Sequence, residues 1–312
     1  MLNSVLSTLF SMRFLLQIIR LATPIIFAAI GAFVAASTGI GNIAIESIMT
    51  FAALAGVFGS YLSGSAWVGV LAGIIVGMLT ALLITFFSMR LGADAFLIMI
   101  ALNTFADAVA IFILFQLTGD KGTTASLATP LLESINIPII QNIPILGEIL
   151  SGQYVLTYIC WILVILLFIM LYKTPLGMRM RACGLNADAA KTAGINVDRL
   201  RVLSLLLSGV FAALGGVYLS LNYLKIFSKG MVSGQGWMGV AANGIANGNY
   251  FSLIISAIIF AIFRAVSIVF SSNPLFPPDL VSAIPYFSVF VILTVVSIVN
   301  YYRIKRGKVE EQ

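Results

Sequence analysis

About nine apolar stretches alternate with polar segments along the chain, and most of them continue for roughly 20 residues. A run of that length matches a helix that crosses the hydrocarbon core of a bilayer. The pattern predicts spans at residues 14–36, 43–62, 66–88, 95–117, 152–172, 202–222, 250–271 and 280–302. A further apolar stretch, residues 233–247, is shorter and rich in glycine. The predicted fold class is therefore an all-α polytopic membrane protein.

The overall composition supports this interpretation. Hydrophobic residues make up 61% of the chain and charged residues only 9%, whereas a soluble globular domain carries about 25% charged residues. A fold that faces water could not hide so much apolar surface. The continuous apolar runs also differ from the alternating ten-residue pattern of a membrane β-barrel. We expect a single transmembrane domain over residues 1–312, embedded in a lipid bilayer.

Charge along the polar segments predicts the orientation. Residues 173–201 form the longest polar segment, with six basic residues against Asp188 and Asp198. Basic loops stay in the cytoplasm, so this segment and the basic C-terminal tail are predicted to be cytoplasmic. Residues 118–150 carry three acids and one base, which predicts an external loop. The net charge of +6 is thus explained by membrane topology, and nucleic-acid binding is not expected.

Two arrangements of the N-terminus fit this pattern. Nine simple spans would place the N-terminus outside. A re-entrant or broken pair within residues 37–62 would place it inside. In either arrangement the protein is a multi-pass protein of the plasma or inner membrane.

A short helix is predicted inside the basic segment. Residues 186–193 begin with Asn186, a good helix cap, include Asp188 in the first turn, and are followed by Gly194. A short helix held between two spans is a suitable docking element for a soluble partner. The chain contains no histidine and no G-x-x-x-x-G-K-[ST] sequence. Histidine-based catalysis and a nucleotide-binding P-loop are therefore excluded, and an enzyme is not expected.

Glycine and asparagine interrupt the apolar pattern in two places, residues 37–47 and residues 230–249. Non-helical backbone at membrane depth survives where protein buries it or where it lines a water-filled path. Paired broken segments in two halves of a transporter tend to flank the substrate path. The alternative is that these are interfacial turns and a close-packed face of small residues.

A few polar or aromatic residues within these stretches and spans are candidates for contact with a solute: Asn42, Glu46, Asn103, Trp237 and Asn243. A neutral polar lining favours sugars, nucleosides or similar solutes over ions. For Glu46 the alternative is a structural acid near a helix N-terminus, where the helix dipole favours negative charge. For Trp237 the alternative is an anchor at the membrane interface.

Two ionisable residues fall inside predicted spans, where a charge is costly. Asp107 and Arg264 could form an ion pair that ties two helices together. Asp107 is also the one good candidate for ion coupling, so a secondary transporter driven by an ion gradient is the competing class of function.

Three motifs resemble permease subunits of ATP-binding-cassette importers of the branched-chain amino acid, ribose and basic-membrane-protein type. The first is Thr23-Pro24 followed by Gly39-Ile-Gly-Asn42-Ile-Ala-Ile-Glu46-Ser-Ile-Met49, in which Ser47 replaces the usual glycine. The second is Pro175-Leu-Gly177 followed by Arg181-Ala-x-Gly184-x-Asn186-x-x-Ala189-Ala190-x-x-Ala193-Gly194. The third is Gly236-Trp-Met-Gly239-Val-Ala. They follow one another in the order expected for that family.

The resemblance implies a type II importer bundle of about nine or ten spans with broken helices. It implies that ATP and Mg²⁺ bind to partner ATPase subunits and that this chain holds no cofactor and no metal. Further implied partners are a second permease, expected to be a homologous but different chain, and an external solute-binding lipoprotein. The residues implied in ATPase coupling are Arg181, Gly184, Asn186, Ala189, Ala190 and Gly194.

The solute is less narrowly implied than the machinery. The Asn-Ile-x-x-Glu motif favours the branch of the family that includes many nucleoside importers. A sugar, riboflavin or a branched-chain amino acid remain the alternatives.

Overall fold

The computed structural model describes residues 11–136, 151–271, 283–284, 286–295 and 297–298. Within these ranges, seven helices are long and apolar enough to cross a membrane. In chain order the helices are α1 (Met12–Ala36), α2 (Ile45–Ser63), α3 (Ala66–Thr85, continued by a π-helical turn to Arg90), α4 (Ala95–Thr118), α5 (Val155–Lys173), α6 (Pro175–Leu185), α7 (Ala187–Thr192), α8 (Val197–Tyr218, continued by a π-helical turn to Tyr223), α9 (Gln235–Ala246), α10 (Tyr250–Ser271) and α11 (Tyr286–Val295).

The predicted membrane spans are confirmed for these seven helices, with boundaries that differ by a few residues. The predicted span over residues 280–302 overlaps α11, and part of it lies outside the described residues. The glycine-rich stretch at residues 233–247 contains α9, whose 12 residues cover about 18 Å. Because the hydrocarbon core of a bilayer is about 30 Å thick, α9 is only part of a span. The predicted loop at residues 118–150 is described only as far as residue 136.

Helix α1 lies at the centre of the bundle. Within its most apolar window 83% of the residues are buried, compared with 22% for α4 and 28% for α5. It packs against α8, α9 and α10. Helices α4 and α5 instead leave broad apolar faces exposed, as lipid-facing helices do. The chain is thus built around its first described helix.

Glycines allow the central helices to approach one another closely. A Cβ atom at Gly216 would collide with the backbone of Met49, and one at Gly69 would collide with the carbonyl oxygen of Gly56. Gly77 and Gly209 face each other in the same way, each 2.7 Å from the other's carbonyl oxygen when a Cβ is added. Small residues let membrane helices gain van der Waals contact without a hydrophobic driving force. They therefore fix the packing of α2, α3 and α8.

Two ends of the bundle can be distinguished by their contacts. At the end that we call the loop end, the two-residue strands β1 (Ser134–Ile135) and β2 (Gln153–Tyr154) pair antiparallel. An isolated bridge there joins Thr123 to Ser228. At the opposite end, which we call the basic end, α6 and α7 form the basic segment.

The contacts of α1 determine its direction. Near its start, Arg20 donates hydrogen bonds of 3.4 Å to the Gln153 side chain and to the Gly152 carbonyl. Beyond its end, the carbonyl of Ser37 lies against Gly184 in α6. Helix α1 therefore begins at the loop end and finishes at the basic end.

Pro24 explains one unusual contact of the central helix. Proline lacks the N–H that would bind the carbonyl four residues earlier, which here is the carbonyl of Arg20. The hydroxyl of Tyr218 donates a hydrogen bond of 3.0 Å to that carbonyl. A buried side chain of α8 thus satisfies the backbone group that the proline leaves free.

Candidate functional site

Residues 37–44 connect α1 to α2 without forming a helix. Side chains of α8 hold this segment, which we call the re-entrant segment. The Thr38 and Ser204 hydroxyls lie 2.7 Å apart, and the Asn42 amide donates a hydrogen bond of 2.9 Å to Ser208. The segment therefore runs back along α8 from the basic end to the start of α2.

Asn103 satisfies the backbone where the re-entrant segment becomes α2. Its amide nitrogen donates to the Ile43 carbonyl at 3.0 Å, and its amide oxygen accepts from the Ser47 N–H at 3.0 Å. The Asn42 oxygen accepts from the Ala44 N–H at 3.0 Å. The first N–H groups of a helix have no partner within the helix. Both asparagines thus bind main-chain groups that would otherwise lack a hydrogen-bond partner.

Glu46 joins α2 to α9. Its two carboxylate oxygens accept hydrogen bonds of 2.8 Å from the N–H groups of Gly234 and Gly236, at the N-terminus of α9. A carboxylate at this position meets both the free N–H groups and the positive end of the helix dipole. Glu46 is therefore a structural acid, as the alternative interpretation proposed. The helix N-terminus that Glu46 binds is that of α9, whereas Glu46 itself lies in α2.

Helix α9 is bounded at both ends by left-handed backbone. Ser233 and Gly234 precede it with φ values of 52° and 78°, and Asn247 and Gly248 follow it with φ values of 44° and 82°. In its middle, Gly239 lies directly against the backbone of Ala28 in α1. Abrupt reversals at both ends make α9 a discrete half-span.

The other two candidate solute residues lie on α9 and face different surroundings. Trp237 is 42% exposed, in the first turn after the Glu46 contact. Asn243 lines a cavity at the basic end. The structure therefore does not gather the five candidates into one site. Three of them hold the re-entrant segment and α9 in place, and two are open to their surroundings.

The predicted ion pair between Asp107 and Arg264 is not formed, although both residues are described. Asp107 is exposed on α4. The Nε atom of Arg264 is buried without a hydrogen-bond partner. Hydropathy shows that both residues fall within spans, but it does not show which faces of α4 and α10 they occupy.

The predicted short helix in the basic segment is confirmed. The Asn186 side chain accepts hydrogen bonds from the N–H groups of Asp188 and Ala189 at 3.1 and 3.0 Å, and α7 begins there. Gly194, with φ of 79°, follows the end of the helix. The preceding helix α6 begins in the same way, since Thr174 accepts from the Gly177 N–H at 3.3 Å and Pro175 occupies the first helical position.

The predicted docking role of Ala190 needs correction. Ala190 is only 5% exposed and packs against Cys183 and Val197 within the chain. Burial raises the pKa of the Cys183 thiol, which keeps it neutral in this small apolar cluster. Ala190 is therefore the residue through which α7 packs against Cys183 and Val197. It cannot also enter a groove of another protein.

Exposed residues of the basic segment lie beside Ala190. Ala189 is exposed, and Leu185 is 89% exposed at the end of α6. The motif comparison missed Leu185. Its signal in the sequence is an apolar side chain placed directly before the Asn186 cap in an otherwise polar segment. An almost fully exposed leucine is a natural contact for a partner.

Gly184 connects the basic segment to the re-entrant segment. A Cβ atom at this position would lie 2.5 Å from the Ser37 carbonyl oxygen and 3.4 Å from the Gly39 nitrogen. Only glycine allows so close an approach of the two backbones. Gly184 thus places α6 directly against the start of the re-entrant segment.

A cavity of about 480 Å³ lies at the same place. It is lined by the end of α1, the end of α6 and the end of α9, including Phe33, Ser37, Arg181 and Asn243. The Arg181 guanidinium lies 4.6 Å from the centre of the Tyr172 ring. The cavity thus borders all three elements that meet at the basic end.

The arrangement as a whole is that of a membrane-embedded permease: a helical bundle with a re-entrant segment, a half-span and a basic segment at one end. The chain belongs to the family described as branched-chain amino acid transport system permease components, which matches residues 14–298. The family expected from the sequence motifs is thereby confirmed.

Individual relatives cover most of the chain. It is 30% identical over 287 residues to the nucleoside ABC transporter permease protein NupC of Lactococcus lactis, which is 87% of this chain and 88% of that protein. It is 32% identical over 263 residues to the guanosine ABC transporter permease protein NupQ of Bacillus subtilis, 82% of each chain. A chain in the solved structure of PsaBC from Streptococcus pneumoniae in complex with Fab has a TM-score of 0.50 at 17% identity, over 94% of this chain and 95% of that one. The latter similarity concerns the fold alone.

Replacing Glu46 by glutamine should destabilise the protein. The side-chain NH₂ group cannot accept a hydrogen bond, so the N–H of Gly234 or Gly236 loses its partner and the charge at the start of α9 is removed. We expect a loss of about 2 kcal/mol, measured as a lower midpoint of thermal unfolding in detergent. The control Asp107→Asn removes an exposed carboxylate from α4 and should change stability by less than about 0.5 kcal/mol. Equal effects of the two substitutions would contradict the bridging role of Glu46.

Replacing Gly184 by alanine should disturb the contact between the basic and re-entrant segments. The added methyl group collides with the Ser37 carbonyl, and overpacking of this kind costs about 1–3 kcal/mol. The control is Gly41→Ala, the same change in the re-entrant segment, where an added Cβ meets no atom within 4 Å. Thermal unfolding should separate the two variants, and a Gly184→Ala protein as stable as Gly41→Ala would rule out the close contact.

Proposed function

We propose that this chain is the translocating subunit of an ATP-driven importer for nucleosides. The observation that carries the proposal is the similarity to nucleoside and guanosine permease proteins over more than four fifths of the chain. The neutral polar and aromatic groups at the open positions of α9, Trp237 and Asn243, suit an uncharged polar solute. The membrane-embedded chain does not itself hydrolyse ATP. That step belongs to ATPase subunits, with their own ATP and Mg²⁺.

The solute path follows α9 and the re-entrant segment. Half-spans and non-helical backbone at membrane depth persist where they border a path. Asn42, Glu46 and Asn103 shape this path by holding its walls, since their polar atoms already bind backbone or side-chain partners. Trp237 and Asn243 are the side chains left available to a solute.

ATPase subunits dock at the basic end, which is cytoplasmic because it is the basic side of the chain. Leu185 and Ala189 are the exposed residues that enter the contact, and Ala190 and Gly194 fix the position and length of α7. ATP must favour one state of the permease over another for transport to be coupled. Displacement of α6 passes through Gly184 to the re-entrant segment and reaches α9 through Glu46.

A second, homologous permease completes the path. The chain matches two permease proteins of Lactococcus lactis, NupC and NupB. It also matches two permease proteins of Bacillus subtilis, NupQ and NupP. A pair of different permease chains is the arrangement that these matches favour. A solute-binding lipoprotein docks at the loop end, and the whole assembly lies in the plasma or inner membrane with the C-terminus in the cytoplasm.

A sugar is the second candidate solute. The chain is 22% identical over 278 residues to the glucose ABC transporter permease protein TsgB13 of Haloferax volcanii, across 82% of this chain and 69% of that protein.

ATP-dependent uptake into proteoliposomes tests the proposed solute. The complex that copurifies with the chain is reconstituted with its binding protein, and uptake of guanosine, uridine and glucose is measured with and without ATP. We expect ATP-dependent uptake of one or both nucleosides and none of glucose. Uptake of glucose alone would replace the nucleoside by a sugar, and uptake driven by an ion gradient without ATP would contradict the importer.

An arginine at position 189 should uncouple the ATPase subunits. Ala189→Arg places a long charged side chain on the exposed face of α7, so the chain should insert normally but lose its copurifying ATPase by at least about tenfold. The matched control is Ala128→Arg, the same change on an exposed alanine at the loop end. Quantitative blotting of the purified complexes measures both. Full retention of the ATPase by Ala189→Arg would exclude α7 from the contact.

A further inference from the structure

We propose that the cavity at the basic end binds the phosphate group of a phosphate ester about the size of a nucleotide, and that its occupancy slows transport. The cavity borders the end of the proposed solute path, through Ser37 and Asn243. The proposal rests on the proposed function for its effect on transport and for its choice of ester, because phosphorylation is the class of reaction that would trap an imported nucleoside inside the cell.

The electrostatic character of the cavity favours an anion. Arg181 is the only charged residue among the residues that line it, all of which are described, so no carboxylate in the wall competes for the guanidinium. The Nε atom of Arg181 is buried without a hydrogen-bond partner. A planar guanidinium presents several N–H donors in a geometry that matches phosphate, which it often binds in a bidentate manner.

The position of Arg181 is fixed before any ligand arrives. Its guanidinium carbon lies 4.6 Å from the centre of the Tyr172 ring, a cation–π distance. The hydroxyl of Tyr172 in turn donates a hydrogen bond of 3.1 Å to the Gly248 carbonyl, just after α9. The arginine is therefore held between α5 and the end of α9. A charge positioned in this way loses little conformational freedom when it binds a ligand.

The rest of the wall suits the organic part of a nucleotide. Asn243 and Asn247 offer amide donors and acceptors, and Phe33 offers an aromatic surface. At Gly244 an added Cβ would meet no atom within 4 Å, so this side of the cavity is open space. A volume of about 480 Å³ falls within the range of small-molecule sites, about 300–1,000 Å³.

The location gives the site an effect on transport. The lining joins Ser37 of the re-entrant segment and Gly184 of α6, which the proposed coupling moves together, to Asn247 after α9. A ligand that contacts all three stabilises their present arrangement. By linkage it must then oppose any state in which they separate.

Direct binding is the first test. The purified complex in nanodiscs of neutral lipid is titrated with radiolabelled uridine 5′-monophosphate, with uridine as the comparison, in equilibrium dialysis. We expect saturable binding of the monophosphate, with at least about fivefold weaker binding in Arg181→Gln and in Gly244→Leu. The leucine fills the open space and leaves the arginine in place. The ATPase content of each complex is measured by quantitative blotting, and binding is expressed per complex at equal ATPase content, so that nucleotide bound to the ATPase subunits cannot produce this difference.

Transport is the second test. Uridine 5′-monophosphate added on the ATP side should lower the uptake rate of the native complex by about fivefold. Gly244→Leu should lose this inhibition, measured relative to its own uptake rate without the monophosphate. No saturable binding by the native complex, or binding and inhibition that persist in both variants, would overturn the proposal. A complex that binds the monophosphate but transports no nucleoside would leave the cavity site standing and refute the nucleoside importer.

The same phosphate chemistry could come from a lipid headgroup. Nanodiscs that contain phosphatidylglycerol distinguish this source. If the anionic lipid displaces the monophosphate from the native complex and copurifies less with Arg181→Gln, the site takes its phosphate from lipid. If the lipid has no effect on the titration, the soluble ester is the ligand.

Discussion

The carboxylate of Glu46 is the interaction on which the central part of this structure depends. It lies in the first turn of α2 and accepts two hydrogen bonds of 2.8 Å from the start of α9, so a single side chain joins two helices that both begin away from the ends of the bundle. A buried charge is costly at membrane depth. Here that cost is offset by two charge-assisted hydrogen bonds and by the positive end of a helix dipole. Without the carboxylate, the N–H groups of Gly234 and Gly236 at the start of α9 would lose their hydrogen-bond partner.

A continuous line of contacts connects that carboxylate to the basic end. Gly184 lies against the backbone at Ser37. Thr38 and Asn42 bind the re-entrant segment to α8. Asn103 binds the backbone where this segment becomes α2. The contacts join main chain to main chain, main chain to a short polar side chain, or two short polar side chains. Such contacts leave little slack, because a shift of a few tenths of an ångström breaks a hydrogen bond or creates a collision. The proposed coupling between ATPase docking and the solute path requires this kind of stiffness between the two places.

The sequence predicts the spans and the short helix α7 because both depend on local information. Twenty consecutive apolar residues have few alternatives to a membrane helix, and Asn186 satisfies α7 with atoms two and three residues away. The partners of Asn103 and Glu46 are 56 and 188 residues away in the chain, and no local pattern identifies them. The difference between the exposed Ala189 and the buried Ala190 has the same origin, since it depends on Cys183 and Val197 packing against one side of α7. The predicted ion pair between Asp107 and Arg264 is wrong because hydropathy indicates that both residues lie within spans but does not show on which face of its helix each residue lies.

The contacts of the buried asparagines bear on how a solute is selected. Polar residues inside spans suggest a binding site, yet the side chains of Asn42 and Asn103 form hydrogen bonds with other groups of the protein itself. A path whose polar side chains are already engaged offers a passing solute few fixed partners. Specificity achieved through hydrogen bonds needs groups that would be left unpaired by the wrong ligand, and few such groups face the proposed path. The engaged asparagines are thus consistent with the proposal that a separate solute-binding protein selects the solute and that the permease supplies a weakly discriminating route.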